Sequence, residues 1–182
     1  MAGEAVPRRR QTGPGGITRP GQGAFKSVAD YIWRMTEHRE SRTVPYSADV
    51  MYRIVADVER YPEFLPWVIA LRVLSREENA LTAEMAVGYG PFRERYTSKV
   101  SLDPAARRID VVAIKGPFRK LENHWRFTPE GPLNGKKCCR IDFSIAFEFR
   151  NPLMQAAARK AFEAVLLKMT DAFVARAAQL LA

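Results

Sequence analysis

The side chains that most often carry enzyme chemistry are scarce in this sequence of 182 residues. Histidine occurs twice, as His38 and His124, and strand alternation predicts that both face outward without a carboxylate or nucleophile partner. No carboxylate pair and no cluster with metal-ligand spacing is evident. Gly13, Gly15 and Gly16 do not connect a strand to a helix, so they form no phosphate-binding loop. The sequence therefore predicts a protein that is not an enzyme and has no catalytic residues, metal or catalytic cofactor.

Cysteines and long apolar runs are equally sparse. The two cysteines, Cys138 and Cys139, are adjacent in a predicted strand and therefore point to opposite faces. They cannot form a disulfide that cross-links the fold, and they do not have metal-ligand spacing. This cysteine usage indicates a reducing compartment. No apolar run approaches the roughly 20 residues that cross a bilayer, and residues 1–23 lack an apolar secretory core. We therefore expect any contact with a membrane to be peripheral.

Basic residues exceed acidic ones, at 29 against 20, which gives a formal net charge of +9. A moderate positive charge fits an anionic membrane, a nucleic acid or simple solubility, so it does not select a partner. Residues 1–34 are predicted to be a disordered extension rich in Pro, Gly and Arg. Within it, the apolar spacing of residues 24–34 is compatible with a short amphipathic helix, an interfacial anchor or a segment packed on the domain. Residues 35–182 are predicted to form the folded domain.

The order of predicted elements is one strand, two short helices, about six strands and a long helix. Ser47 is predicted to cap a helix that runs to Asp57, with Val50, Met51, Ile54 and Val55 on its core face. Residues 59–65 form a second short helix, and Gly-Pro and Asp-Pro pairs mark the turns between the strands. Short turns join antiparallel strands. The predicted fold class is therefore α+β, with a curved antiparallel sheet of about seven strands wrapped around the last helix.

The final helix is predicted to begin at Asn151-Pro152, where Asn caps the first turn and Pro occupies the first helical position. No Pro or Gly follows. Apolar residues recur at three- and four-residue steps along it, and these are Met154, Ala158, Phe162, Val165, Leu166, Met169, Ala172, Phe173 and Leu180. A helix with such a stripe needs a broad apolar surface to cover it, and the concave face of the sheet is the only candidate.

Two polar residues are predicted to face inward, Glu94 on one strand and Asn123 on another. Burying an unpaired polar group costs about 1–3 kcal/mol, so each of them requires an explanation. One explanation is a pocket in which they hydrogen-bond a ligand head-group. Another is that they pair with an arginine or the backbone near the sheet edge, and a third is that a β-bulge reverses the predicted face.

The most distinctive stretch is residues 57–67, Asp-Val-Glu-Arg-Tyr-Pro-Glu-Phe-Leu-Pro-Trp, whose prolines bracket an apolar cluster that is either core or the mouth of a pocket. Together with residues 92–100 and 116–127, in the same order, it resembles the coenzyme Q-binding family of START-like, helix-grip proteins. That family also contains the ribosome association toxins. The resemblance covers residues 36–182. It implies a lipid-handling protein that holds a polyprenyl quinone between sheet and helix as a carrier or chaperone, without catalysis, in support of respiratory electron transfer.

On this interpretation ubiquinone, or a similar polyprenyl lipid, is the bound ligand. The cavity and lid would be formed by Tyr61, Pro62, Phe64, Leu65, Trp67, Met85, Val87, Tyr89, Glu94, Tyr96, Asn123, Trp125, Phe143, Phe147, Phe162, Leu166, Met169 and Phe173. Aromatic and Met side chains offer the adaptable contact that an isoprenoid tail needs. The alternative is that these residues only fill the core.

Partner and location remain open between alternatives. The basic surface and the apolar cluster of residues 57–67 would rest on an anionic membrane. The expected location is the bacterial cytoplasm, peripheral at the inner membrane, or else the matrix side of the mitochondrial inner membrane. A toxin-like protein would instead bind the large ribosomal subunit through outward cations, namely Arg93, Arg95, Lys99, Arg126 and Arg140. The same face also carries carboxylates that reduce its positive charge, namely Glu84, Glu122, Asp142 and Glu148. DNA binding is not expected. A polyketide aromatase or cyclase would need Glu94 and Tyr96 as acid and base.

Overall fold

The structure is a computed structural model that describes residues 35–133 and 135–181. The predicted extension, with its amphipathic stretch at residues 24–34, lies outside the described residues. The strands are β1 (Thr36–Val44), β2 (Val68–Glu77), β3 (Ala80–Tyr89), β4 (Phe92–Asp103), β5 (Arg108–Lys115), β6 (Phe118–Leu133) and β7 (Lys136–Phe149). The helices are α1 (Ala48–Ala56), a 3₁₀ turn (Val58–Arg60), α2 (Tyr61–Phe64) and α3 (Pro152–Leu180).

All seven strands form one antiparallel sheet in the order β1-β7-β6-β5-β4-β3-β2. The six strands from β2 to β7 make a meander of neighbours, and β1 joins it by pairing with β7. The apolar stripe of α3 packs on the concave face of the sheet, where Ala158, Leu166 and Phe173 are buried. The predicted α+β class and the curved sheet around a long C-terminal helix are confirmed.

Local sequence accounts for the ends of these elements. The Ser47 hydroxyl accepts a hydrogen bond from the Val50 amide at 3.4 Å, and the Asn151 side chain accepts one from Leu153 at 2.9 Å. Gly90 turns β3 into β4 with φ of +57°, a conformation that favours glycine. Gly116, between β5 and β6, has φ of +135°, and a Cβ there would meet the Tyr96 Cβ at 2.6 Å. These turns therefore depend on glycine.

The face assigned to His38 was wrong. Residues directly opposite each other in an antiparallel pair share a face, and His38 is opposite Ile145, one of the inward residues of β7. The imidazole therefore faces α3. Most inward positions of β1 carry polar residues, because β1 is an edge strand. A polar residue in a strand is normally assigned to the outward face, so sequence alone assigned His38 to the wrong face.

Two residues face outward as predicted and are nevertheless buried. Thr97 lies opposite Glu84 on β3, beside a register shift between Thr97 and Ser98 where β4 meets β5. Glu148 lies opposite Lys120 on β6 and has Arg119 as its ion-pair partner at 3.3 Å. Leu180 extends the stripe of α3 in sequence but is exposed, because it lies in the last turn of the helix.

The second short helix and the core face of the first also differ from expectation. Residues 58–64 form a 3₁₀ turn followed by a single α-helical turn, because Pro62 and Pro66 leave no room for a longer helix. On α1, Met51 and Val55 are buried as predicted, together with Tyr52. The other two predicted core positions of α1 are only half-buried.

Candidate functional site

A partly open cavity of about 120 Å³ lies between the concave face of the sheet and α3. Fourteen of the residues predicted for a ligand site line it, and these are Tyr61, Leu65, Trp67, Met85, Val87, Tyr89, Tyr96, Asn123, Trp125, Phe143, Phe162, Leu166, Met169 and Phe173. Pro62, Phe64, Glu94 and Phe147 do not line it. The wall is therefore almost wholly apolar and comes from most strands of the sheet, the residues before β2 and one face of α3.

Part of the wall was missing from the prediction. Ile109 and Val111 come from β5, and Ala161 and Val165 come from α3. The alternation of apolar residues in β5 was a usable signal, since Ile109, Val111 and Ala113 occupy every second position. Leu121 and Ile145, already assigned to the inward face, also belong to the wall.

The size of the cavity limits what it can hold in this conformation. A dry cavity of about 150 Å³ accommodates benzene, and ligand sites usually enclose roughly 300–1,000 Å³. A space of about 120 Å³ is therefore sufficient for a few carbon atoms only. A substituted ring or a larger lipid would require movement of α3 relative to the sheet or an adjoining space.

Besides Ser98 and Tyr89, the polar side chains on the cavity wall include those of Tyr61, Tyr96 and Asn123. The Tyr61 hydroxyl donates to the Val55 carbonyl at 2.5 Å, and the Tyr96 hydroxyl lies 3.5 Å from the Met85 sulfur. Burial raises the pKa of Tyr61 far above its usual value and raises the pKa of Tyr96 to about 12, so both hydroxyls stay neutral near pH 7. The Oδ1 of Asn123 is buried and has no hydrogen-bond partner among the described residues. An unpaired buried amide oxygen costs about 1–3 kcal/mol.

Glu94 lies outside the cavity and is half-buried, and burial raises the pKa of its carboxyl group. Of the two residues that an aromatase or cyclase mechanism would use, only Tyr96 therefore lines the cavity. A hydroxyl with a pKa of about 12 is a weak general acid and is not deprotonated to serve as a base. The cavity lacks an acid–base pair among the described residues that line it.

Residues 57–67 form one flank of α3, which we call the aromatic flank. The rings of Tyr61 and Phe64 meet Phe173 edge-on, with centroids 5.3 and 5.4 Å apart. Leu65 is 2% exposed and Trp67 is 8% exposed. This segment is therefore core and cavity wall together, and its apolar side chains are not presented to solvent as an open mouth.

The opposite side of α3, which we call the β1 flank, is polar. The Gln155 amide donates to the Thr36 hydroxyl at 3.0 Å, and the Thr170 hydroxyl donates to Glu40 at 2.7 Å. Between these two hydrogen bonds lies His38, whose buried Nε2 has no hydrogen-bond partner among the described residues and lies 4.0 Å from Glu40 Oε2. Further along, Arg42 pairs with Asp171 at 2.5 Å. The edge strand thus contacts the helix mainly through hydrogen bonds and an ion pair.

A groove of about 740 Å³ opens along the β1 flank, beside the first half of α3. Its walls include the start of β1, the end of β7 and the helix from Pro152 to Leu167. Leu166 lines both this groove and the cavity. Glu148 is also in the wall; its Oε1 pairs with Arg119, and its buried Oε2 has no hydrogen-bond partner among the described residues.

On the convex face, two of the five predicted cations, Arg95 and Arg140, form ion pairs with carboxylates. Arg95 lies 2.9 Å from Glu84, and Arg140 lies 3.2 Å from Asp142. The Nδ1 of His124 lies 2.6 Å from Asp110 Oδ1, so this histidine has the carboxylate neighbour that was not expected. Asp110 is on β5 and His124 on β6, and only the strand pairing brings them together. Ion pairs on an open convex surface are typical of structural contacts between neighbouring strands, not of a catalytic site.

A curved sheet that grips a long C-terminal helix around an apolar cavity defines a START-like protein of the helix-grip class. The chain belongs to the polyketide cyclase / dehydrase and lipid transport family, which it matches over residues 44–174. The resemblance proposed from residues 57–67, 92–100 and 116–127 is thus confirmed, because relatives of both expected kinds are found.

The chain is 37% identical over 145 residues to the ribosome association toxin RatA of Pseudomonas aeruginosa, covering 80% of this chain and 97% of that protein. It is also 37% identical over 146 residues to the mitochondrial coenzyme Q-binding protein COQ10 homolog B of Xenopus laevis, covering 79% of this chain and 59% of that protein. An 18 kDa protein of Caulobacter crescentus, solved in solution, superposes with a TM-score of 0.66 at 35% identity, over 80% of this chain and 97% of that one. The first two relatives are named for binding or association, not for a reaction.

Proposed function

We propose that this protein binds ubiquinone, or a lipid of the same polyprenyl class, in the cavity between the sheet and α3. It acts without catalysis, as a carrier or chaperone that supports respiratory electron transport. The apolar cavity with one unpartnered amide carries this proposal, because it suits an apolar ligand with a polar ring. The similarity to coenzyme Q-binding relatives supports the choice of ligand.

Asn123 gives the ring a specific anchor. Its Oδ1 can accept a hydrogen bond from a quinol hydroxyl, and its amide nitrogen can donate one to a quinone carbonyl if the side chain rotates by half a turn. A ligand that satisfies this amide removes the cost of leaving it unpaired. Trp125 and Phe143, with ring centroids 4.1 Å apart, also line the cavity and offer aromatic surface to a planar ring.

The test is mass spectrometry of an organic extract from the purified protein, produced in a host that synthesises ubiquinone. We expect one quinone per chain in the reference protein and about tenfold less in Asn123→Leu, which has similar volume but no amide. Asn79→Leu, on an exposed turn, is the matched control and should retain the quinone. A reference protein that carries no quinone, or equal retention in both variants, would refute the proposal.

Ribosome association is the second candidate, since the match to the RatA relative spans 97% of that protein. The outward cations on β4 and β6 supply positive charge, but Glu84 already pairs with Arg95 and Arg72. We expect binding to large ribosomal subunits, if it is the function, to fall steeply as salt rises. Sedimentation with purified subunits at two salt concentrations tests it, with Arg93→Glu/Lys99→Glu as the charge-reversal variant. Absent or salt-independent sedimentation would remove this candidate.

Peripheral contact with the anionic inner membrane follows from the carrier function, on the cytoplasmic side in bacteria or the matrix side in mitochondria. In the part of the chain that the structure describes, no helix is long and apolar enough to span a bilayer. Trp67 and Leu65 are buried and do not present a membrane-facing surface. The first half of α3 is the better candidate, since Leu153 and Leu167 are exposed there together with Arg159.

A further inference from the structure

We infer that the groove along the β1 flank is a second ligand subsite, which holds the polyprenyl chain while the ring lies in the cavity. This rests on the proposed function and adds to it the position of the chain and the route of entry. The cavity of about 120 Å³ cannot enclose a ring together with an isoprenoid chain. The groove of about 740 Å³ has the volume that the cavity lacks.

Continuity between the two spaces is the first argument. Leu166 is 3% exposed and is the one described residue that lines both the cavity and the groove, so the two spaces adjoin at this side chain. Beyond it, Phe149, Ala156 and Leu167 give the groove apolar surface, beside the charged side chains of Glu37, Arg159 and Glu163. Leu167 is 72% exposed, so within the described part of the chain most of this large apolar side chain is left uncovered.

The weakness of the β1 flank is the second argument. The hydrogen bonds of Gln155 to Thr36 and of Thr170 to Glu40 frame a window, and no hydrogen bond to α3 crosses it at His38. Among the described residues, the buried Nε2 of His38 has no hydrogen-bond partner there. Opening the window lets water reach this atom, so separation of β1 from α3 is favoured by a polar atom that gains a hydrogen bond.

The aromatic flank is a poor alternative route. Separating α3 from the sheet on that side would expose Tyr61, Phe64 and Phe173, whose rings contact one another, together with the buried Leu65. That separation transfers apolar surface to water and satisfies none of the unpartnered polar atoms. Entry from the β1 flank therefore costs less than entry from the aromatic flank.

The experiment compares two probes on the full-length protein: a dimethoxy-dimethyl-benzoquinone without a chain, and the same ring with two isoprenoid units. We expect the reference protein to bind the second probe at least about tenfold more tightly. Leu167→Glu and Ala156→Trp, both at exposed positions of the groove wall, should remove most of that preference and leave binding of the chainless ring unchanged. Leu180→Glu and Ala157→Trp are the matched controls at exposed positions of the same helix outside the groove, and should behave as the reference.

The outcomes separate this inference from the proposed function. If the reference protein binds both probes but the groove variants keep the chain-length preference, the chain lies elsewhere and the groove subsite is refuted while the quinone site stands. If the groove variants instead change the oligomeric state and keep the preference, the groove belongs to a second copy of the protein, and the inference is equally refuted. If the reference protein binds neither probe, the proposed function fails and the subsite fails with it.

Discussion

Along the aromatic flank of α3, Phe173 is buried against the rings of Tyr61 and Phe64, and the contact excludes water. Along the β1 flank, the same helix meets Thr36 and Glu40 through hydrogen bonds, and a groove separates it from the end of β7. One helix is thus held by apolar burial on one side and by exchangeable polar contacts on the other. The difference makes the first flank a fixed wall and the second a place where the molecule can open.

The largest effect should come from the aromatic flank. Phe173→Ala removes a ring that also meets Trp125 at 5.3 Å, and we expect the free energy of unfolding to fall by about 3–5 kcal/mol. Urea denaturation followed by tryptophan fluorescence measures it. Leu153→Ala, at an exposed position of the same helix, should change the free energy of unfolding by less than about 0.5 kcal/mol. A loss below about 1 kcal/mol for Phe173→Ala would contradict the fixed-wall interpretation.

A smaller effect is expected on the β1 flank. Thr170→Val keeps the shape of a fully buried side chain but removes the hydrogen bond to Glu40. Because Glu40 retains solvent contact and the neighbouring Arg42, the loss in unfolding free energy should be about 1 kcal/mol. A double-mutant cycle with Glu40→Gln isolates the contact. A coupling energy above about 2 kcal/mol would mean that this flank is not the weaker one.

His38→Leu should have a small effect of the opposite sign. The variant replaces an imidazole whose buried Nε2 makes no hydrogen bond among the described residues and has only Glu40, 4.0 Å away, as a charged neighbour. We therefore expect unchanged stability or a gain of up to about 1 kcal/mol. Thermal and urea denaturation both report it. His124→Leu is the comparison, because its Nδ1 has Asp110 as a partner and the change there removes that contact, which leaves Asp110 with Arg108 at 2.9 Å. A clear loss of stability in His38→Leu would show that Nε2 is satisfied by water or by another group.

The smallest effect concerns pH. The hydrogen bond from Arg60, and then the charge of Arg60 and Arg176, lower the pKa of Glu63 on the surface of the aromatic flank. A carboxyl group with a lowered folded pKa stabilises the fold above its unfolded pKa of about 4.3, and the contribution is lost as pH falls through the folded value. Glu63→Gln should therefore be slightly less stable than the reference at pH 7 and indistinguishable well below pH 4. Equal stability at every pH would mean that solvent screens the pair completely.

Local patterns predicted most of the fold. Both helix caps, the Gly90 turn and the alternation in β3, β6 and β7 depend on residues within a few positions of each other, and sequence displays such relations directly. The pairing of β1 with β7 joins residues about a hundred positions apart, and no short-range signal encodes it. The wrong face for His38 follows from that omission, since the face of an edge strand depends on its partner.

The site was predictable in composition but not in shape. Alternation and helical spacing identified the residues that surround the space between sheet and helix, including Trp125 and Met169. The volume left between them, the missing partner of Asn123 and the groove beyond Leu166 depend on distances of an ångström or two between distant segments. Residues 57–67 were recognisable as an apolar cluster, but whether such a cluster is wall or mouth is decided by the burial of Leu65 and Trp67.

The pairing of the first strand with the last also sets the order in which the chain can assemble. The Ser41 hydroxyl donates a hydrogen bond to Asp142, 101 residues away, so β1 can pair only after β7 has been synthesised and has folded. Closing so long a loop has an entropic cost, which is offset only by the contacts of the completed meander. The contacts between β1 and β7 are therefore expected to form late. During synthesis, α1 and the meander would emerge from the ribosome before β1 pairs with the edge of β7. A chain interrupted before Lys136 would lack the partner for β1 altogether, and its unpaired edge and uncovered apolar face would invite aggregation.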